Sequence, residues 1–278
     1  MSQAMTLSEE QKSFFEQEGY LVIKGLYSPE EVNVLNELYH KIWLRLMAGG
    51  HIQQAPNRPL NSLYPRLRDY HKDHEGITRF ILKPEAMEAL ESLTGEEMLA
   101  CQTSYYFKAP GASGLPLHQD NYSIGAYPDT TYAVWVSLDR SEESNGGLHV
   151  VPGSHRLEII SPENVPKTVN AYGLRLDLPE GYSIRQVENE PGDVVIFNGN
   201  ILHGSSHNES EDLFRRAIVT HFARSSVEKI TLNYSNLVNK HGVKVRRRLN
   251  SDPRVVETKE TLFEFRDAKF YDQIIHRE

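Results

Sequence analysis

The sequence contains a single cysteine, Cys101, so no disulfide can form within the chain. It has no apolar run of the roughly 20 residues that span a bilayer, and its first residues lack the basic and apolar regions of a signal peptide. Acidic residues outnumber basic ones, with a net charge of −8, which argues against general nucleic-acid binding. We therefore expect a cytoplasmic protein that binds a small molecule, with neither nucleic acid nor membrane as its partner. The composition does not indicate an oligomeric state.

The length of the chain, 278 residues, is compatible with one domain, because β-sandwiches and barrels of this size occur as single units. Hydrophobic residues make up 39% of it, enough for a sizeable core. The pattern divides the expected single domain, 1–278, into three parts. They are a mostly helical part with a candidate lid over 1–100, a β-rich core over 101–225, and a C-terminal extension over 226–278 that is assigned as strand and then helix.

Capping signals define the helices of the first hundred residues. A serine followed three residues later by Glu or Gln can satisfy the first backbone N–H groups of a helix, and glycine favours its end. The expected elements are a helix after Ser8-Glu9-Glu10-Gln11 that stops at Gly19, a strand over 20–23, a helix from Ser28 to Gly49-Gly50, and a helix over 84–93.

Residues 50–79 are polar and carry several prolines and basic side chains. No regular element is evident, and an irregular segment of this length in a compact domain is usually functional or mobile. Two interpretations stay open: a solvated surface loop, or a segment that covers a substrate. The basic residues either meet an anionic substrate or lie in solvent; they are Arg58, Arg66, Arg68, Lys72 and Arg79.

From residue 101 onward, short runs of β-branched and aromatic residues are separated by turn dipeptides. One of these, Asn145-Gly146, predicts a hairpin turn because both residues tolerate positive φ. Many short strands with such turns indicate a sandwich or jelly roll. The expected strands are 102–108, 131–138, 147–151, 193–198 and 215–223.

His118-Gln119-Asp120 and His203 are the residues with metal-binding chemistry. In an extended segment residues i and i+2 point the same way, so His118 and Asp120 can hold one ion while Gln119 faces away. Two imidazoles and one carboxylate suit iron(II) and leave coordination positions open for oxygen chemistry. Zinc is the alternative, but a structural zinc site needs a fourth ligand, and the sequence offers none of comparable support.

Seven short motifs follow one another between about residues 102 and 223. They are Leu117-His118-Gln119-Asp120, Ala133-Val134-Trp135-Val136-Ser137-Leu138-Asp139, Asn145-Gly146-Gly147-Leu148, Val151-Pro152-Gly153-Ser154-His155, Gly192-Asp193-Val194-Val195-Ile196-Phe197, His203-Gly204-Ser205 and Phe214-Arg215-Arg216-Ala217-Ile218. In order and spacing this set resembles the phytanoyl-CoA dioxygenase family of iron(II)- and 2-oxoglutarate-dependent oxygenases. The N-terminal helices are also similar to those of the family.

The resemblance implies a mainly β fold with flanking N-terminal helices, a double-stranded β-helix of the cupin-like jelly-roll kind. It implies that His118, Asp120 and His203 hold iron(II) and that Arg215 anchors 2-oxoglutarate as cosubstrate. Dioxygen is then the co-reactant, and ascorbate the expected reductant in vitro. A small residue replaces the ligand carboxylate in relatives that halogenate, so Asp120 implies hydroxylation.

Arg215 suits the distal carboxylate of the cosubstrate because a guanidinium presents two parallel donors. Arg216 is its rival: neighbours in a strand face opposite ways, the apolar alternation does not separate the two, and the resemblance favours Arg215. Ser205, two residues from His203, is expected on the same side of the strand as that ligand. Further candidates for the cosubstrate pocket are Trp135, Gln102, Tyr105 and Asn121.

The predicted function is hydroxylation of an unactivated C–H bond in a small metabolite, with release of succinate and carbon dioxide. The metabolite is anionic if the basic residues of 50–79 contact it. No side chain is needed as a general base, because orientation and exclusion of side reactions are the tasks of the protein. The alternatives are the same cofactor chemistry ending in desaturation, epimerisation or cyclisation, an oxygenase acting on a protein side chain, and a non-catalytic metal-binding jelly roll.

Overall fold

A computed structural model describes residues 5–56, 59–164 and 174–251 of the chain. Arg58 and the helix expected at the end of the C-terminal extension lie outside these ranges. None of the helices within them is long and apolar enough to cross a bilayer. The described helices are α1 (Glu9–Glu18), α2 (Pro29–Ala48), α3 (Pro59–Leu63), α4 (Glu75–Ile81), α5 (Pro84–Thr94) and α6 (Asp120–Ile124), with 3-10 turns at Tyr70–Lys72 and Ser154–Arg156.

The capping signals of the N-terminal helices are confirmed. Ser8 and Ser28 each accept a hydrogen bond from the backbone N–H three residues on, and the side chains of Gln11 and Glu31 accept one from the capping residue in return. Helix α1 ends at Gly19, whose φ of +81° is the left-handed conformation that glycine adopts without strain. Helix α5 confirms the third predicted helix.

Short strands make up most of the remaining chain. In order they are β1 (Tyr20–Ile23), β2 (Leu67–Arg68), β3 (Met98–Tyr106), β4 (Leu115–His118), β5 (Thr131–Ser137), β6 (Leu148–Val150), β7 (Glu163–Asn164), β8 (Leu174–Arg175), β9 (Arg185–Gln186), β10 (Val194–Asn198), β11 (His203–Ser205), β12 (Ala217–Arg224), β13 (Lys229–Ile230), β14 (Leu237–Val238), β15 (Lys244–Val245) and β16 (Arg248–Leu249).

Two antiparallel sheets form the centre of the fold and confirm the predicted jelly roll. The larger sheet has the order β1-β10-β5-β12-β3-β14-β15, with β2 also paired to β3, and the smaller has the order β4-β11-β6-β9. Val238 of β14 pairs with Ala100 of β3, so part of the C-terminal extension completes the larger sheet.

Alternation along β12 separates two cores. Ala217 and Val219 pack between the sheets, in one cluster with Leu148 of the smaller sheet. Ile218 and Phe222 face the opposite way and pack in the larger cluster that the N-terminal helices cover. The side chains of β12 that lie between the sheets are therefore those on the same face as Ala217 and Val219.

The expectation of an irregular segment over 50–79 is wrong. Helices α3 and α4, a 3-10 turn and β2 occupy it, and it is docked on β3. Leu67 is buried and pairs with Tyr105, and the buried His71 has Nδ1 2.9 Å from Thr103 Oγ1. Because these contacts attach the segment to the sheet, it is not a solvated loop.

Asn145-Gly146 is a turn but not a hairpin. Gly146 has a φ of +84°, as the dipeptide predicts. The strands on either side, β5 and β6, lie in different sheets, so the chain turns here while crossing from the larger sheet to the smaller one.

Asp69 ties the docked segment to two other parts of the fold. Its Oδ1 accepts a hydrogen bond from Thr103 N at 3.0 Å, and its Oδ2 accepts from Asn233 Nδ2 at 3.1 Å.

Asp69→Ala leaves these donors without their acceptor, so we expect a loss of about 1–3 kcal/mol in the free energy of unfolding, measured by denaturant titration. Asp69→Asn keeps an acceptor oxygen and suits the left-handed φ of 62°. It should lose less, and equal losses in the two variants would contradict this role.

Candidate functional site

Neighbouring strands of the smaller sheet bring the predicted metal ligands together. His118, the last residue of β4, pairs with His203, the first of β11. Asp120 follows at the start of α6, where its Oδ1 lies 3.6 Å from His118 Nε2 and its Oδ2 lies 3.5 Å from His203 Nε2. The ligand atoms of these three residues all lie within 4.8 Å of one another. Gln119 faces away, as predicted, and donates to Asn200 O at 2.8 Å.

Backbone carbonyls orient both imidazoles. Nδ1 of His118 lies 2.9 Å from Pro116 O, and Nδ1 of His203 lies 3.0 Å from Ile201 O. Because a carbonyl oxygen only accepts, Nδ1 carries a proton in each ring, and in the neutral form of the ring the lone pair is on Nε2. Both rings are therefore prepared to bind a metal ion through Nε2.

The ionisation states also suit a metal. Asp120 is 8% exposed, and although burial raises its pKa, His221, His203 and His118 together hold that pKa well below the usual range of a carboxyl. Burial, with His118 beside it, lowers the pKa of His203 to about 3. Asp120 Oδ2 is buried and has no well-directed hydrogen bond. A buried anionic carboxylate with one oxygen that lacks a well-directed hydrogen bond, beside the imidazoles of His118 and His203, fits a divalent cation.

His221 is a residue of the site that sequence reasoning missed. It is buried on β12, and its Nε2 lies 2.9 Å from Asp120 Oδ2. It approaches the carboxylate from the larger sheet, whereas His118 and His203 belong to the smaller one. The signal was the alternation from Arg215 through Ala217 to His221, since every second residue of a strand shares one face.

Positive charge gathers at the other end of β11. Arg215 is 4% exposed, its Nε donates to Gly146 O at 2.9 Å, and its guanidinium carbon lies 5.9 Å from the centre of the Trp135 ring. Ser205 closes β11, and its Oγ accepts a hydrogen bond from Lys108 Nζ at 2.8 Å. Lys108 is the second residue that the sequence did not indicate.

Arg216 is committed elsewhere. Its Nε and Nη2 donate to the two carboxylate oxygens of Asp139 at 2.8 and 2.6 Å, and its backbone N donates to the same side chain. This fork uses the paired donors that a cosubstrate carboxylate would need. Of the two rival arginines, Arg215 is the one on the inter-sheet face.

The three remaining candidates separate. Gln102 is buried on β3 directly opposite His221 and so shares its face. Asn121 adjoins Asp120, but its Oδ1 accepts from Ala126 N at 2.9 Å and holds the turn after α6. Tyr105 lies on the helix-covered face, 4.0 Å from the Tyr39 ring between centroids, with its OH donating to Asn36. The structure does not bring Tyr105 to the site.

Comparison with known families identifies the chain's relatives. The model of the family described as phytanoyl-CoA dioxygenase matches residues 15–217. The peroxisomal phytanoyl-CoA dioxygenase of Homo sapiens is 29% identical over 251 residues, which cover 84% of this chain and 73% of the human one.

Solved structures share the fold at lower identity. EctD from S. alaskensis, solved with 2-oxoglutarate and 5-hydroxyectoine, matches with a TM-score of 0.63 at 20% identity, over 82% of this chain and 79% of that one. SnoK, a non-heme α-ketoglutarate-dependent carbocyclase of nogalamycin biosynthesis, has a TM-score of 0.63 at 20% identity, over 85% and 88% of the two chains.

The contact between His221 and Asp120 makes a prediction about metal affinity. Replacing a residue that orients a ligand typically weakens metal binding about tenfold to hundredfold, so His221→Ala should weaken Mn²⁺ binding to that extent in anaerobic calorimetry. His207→Ala, at an exposed loop position, is the matched control and should bind Mn²⁺ normally. Normal affinity in His221→Ala would mean that the ring only fills space.

Proposed function

The chain belongs to the phytanoyl-CoA dioxygenase family of iron(II)- and 2-oxoglutarate-dependent oxygenases, and from that premise we propose that it hydroxylates an unactivated C–H bond of a small anionic metabolite. Dioxygen and 2-oxoglutarate are consumed, and succinate and carbon dioxide are released. One observation supports the proposal: His203, at one end of β11, lies with His118 and Asp120 in a group that could hold a metal ion, and basic side chains surround the other end.

In this proposal His118 and His203 hold iron(II) through Nε2, and Asp120 holds it through its carboxylate. Three protein ligands on one face leave the other positions for the cosubstrate and dioxygen. When bound, iron(II) supplies the activation of dioxygen that is coupled to oxidative decarboxylation of 2-oxoglutarate. Because Asp120 provides a carboxylate ligand, the proposed outcome is hydroxylation rather than halogenation.

The remaining tasks of the chain are orientation and exclusion of water. Arg215 and Ser205 bind the distal carboxylate of 2-oxoglutarate, and Trp135 and Gln102 line the same face of the larger sheet. Apolar side chains between the sheets, such as Val219, keep this space dry, which strengthens each charged contact within it.

An anionic substrate is supported by two arginines at the edge of the inter-sheet space. Arg68 of β2 pairs with Ser104 of β3, and Arg66 Nη1 donates to Tyr106 OH at 2.9 Å. Ser104 and Tyr106 lie opposite Val219 and Ala217, on the face that looks between the sheets. Both arginines therefore adjoin β3 beside residues of the inter-sheet face, and an anionic substrate would complement their charge.

We place the enzyme in the cytoplasm. Its one cysteine is buried, and burial raises the pKa of the Cys101 thiol to about 12, which makes it unreactive.

Desaturation, epimerisation and cyclisation remain alternative outcomes of the same cofactor chemistry. Mass spectrometry of the product separates them, because only hydroxylation adds an oxygen atom.

The direct test of the proposed function is formation of succinate. With iron(II), ascorbate, 2-oxoglutarate and dioxygen, the wild-type protein should form succinate slowly alone and faster when the right member of a metabolite panel is present. His118→Ala, which removes a metal ligand, should abolish both rates. Absence of any turnover that depends on His118 would leave a non-catalytic jelly roll as the better description.

Substitutions of Arg215 and Arg216 form a matched pair that tests which arginine binds the cosubstrate. Arg215→Ala removes one partner of a buried charge pair, a loss of about 2 kcal/mol or more, so the KM for 2-oxoglutarate should rise at least about thirtyfold. Arg216→Ala breaks only the contact with Asp139 and should leave that KM unchanged while lowering the melting temperature. The reverse pattern in steady-state kinetics would assign the anchor to Arg216.

A further inference from the structure

We propose that Lys108 is a second cationic contact for the distal carboxylate of 2-oxoglutarate, so that Lys108, Ser205 and Arg215 form one anion-binding pocket. The inference rests on the proposed function and adds a residue that no motif of the sequence indicates.

The position of Lys108 is set by three contacts. Its Nζ donates to Ser205 Oγ at 2.8 Å and to the backbone oxygen of Ser206. A Cβ on Gly146 would lie 2.5 Å from Lys108 Cε, so glycine at that position makes room for the lysine. The same Gly146 accepts the hydrogen bond from Arg215 Nε. The two cations are thus held on either side of one backbone turn.

The hydrogen bonds of Ser205 indicate that the pocket is suited to a ligand with a hydrogen-bond acceptor. Its Oγ accepts from Lys108 Nζ and, at 3.2 Å, from Leu115 N. A hydroxyl oxygen has two lone pairs and one proton. With both lone pairs engaged, the proton must be donated outward, and none of the described residues accepts it. The third N–H of the Lys108 ammonium likewise has no acceptor among them. A carboxylate oxygen would satisfy both donors.

The charges point to the same conclusion. Arg215 is buried and Lys108 half-buried, and Lys108 forms no ion pair with a described acidic residue. Burial and the positive charge of Arg215 lower the pKa of Lys108 to about 6. Because Lys108 has no acidic partner, positive charge on both side chains is unfavourable until an anion binds between them, and the bound anion favours the protonated amine. Such a pocket selects a ligand with a carboxylate at this end.

The test compares two ligands that differ only in the distal carboxylate, 2-oxoglutarate and 2-oxopentanoate. Their binding to the Mn²⁺-loaded protein is measured by anaerobic calorimetry. Because Lys108→Met removes a charged hydrogen bond, its affinity for 2-oxoglutarate should fall about tenfold to hundredfold. Its affinity for 2-oxopentanoate should be unchanged. Lys108→Arg, which keeps the charge, should recover most of the affinity. Lys41→Met, at an exposed position, should bind both ligands like the wild-type protein.

The outcomes separate this proposal from the proposed function. If Lys108→Met binds 2-oxoglutarate with normal affinity, or if its affinity for both ligands falls equally, Lys108 does not contact the cosubstrate. Its role is then to stabilise the end of β11. If the wild-type protein itself fails to bind 2-oxoglutarate, the proposed function is overturned, and the role of Lys108 with it.

Discussion

The carboxylate of Asp120 is buried between two sheets, and the rest of the site depends on that burial. A charge removed from water costs several kcal/mol unless it is compensated. The groups that meet this carboxylate come from both sheets, because His118 and His203 belong to the smaller sheet and His221 reaches Asp120 from the larger one. Because each sheet contributes, the site exists only when the inter-sheet core is packed, and binding of a cation there favours the folded state.

Strand β11 orders the charges of the site. Asp120 lies at its His203 end, and Lys108 and Arg215 lie around its Ser205 end. With a rise of about 3.3 Å per residue, the two ends are about 7 Å apart. A metal cation at the negative end and a carboxylate at the positive end complement this order, and one five-carbon dicarboxylic 2-oxo acid can reach both. The arrangement therefore supports the proposal that a single cosubstrate spans the two halves of the site.

Local patterns predicted the parts of the fold that depend on neighbours in sequence. Alternation placed His118 and Asp120 together, and capping serines located α1 and α2. The two residues that the sequence did not indicate are placed by contacts between distant parts of the chain. His221 reaches the site because β12 packs against the smaller sheet. Lys108 reaches it because the turn at Gly146, which follows β5, leaves room for its side chain. The choice between the two arginines needed Asp139, which lies 77 residues away along the chain. Helix α4, at seven residues, is too short for its periodicity to stand out within a polar segment.

The most direct test of the account is a crystal structure of the anaerobic complex with Mn²⁺ and 2-oxoglutarate. We expect metal bonds from Nε2 of His118 and His203 and from the Asp120 carboxylate. The distal carboxylate should lie within hydrogen-bond distance of Arg215 and Ser205. A metal ion bound by other residues, or a cosubstrate carboxylate on Arg216, would contradict it.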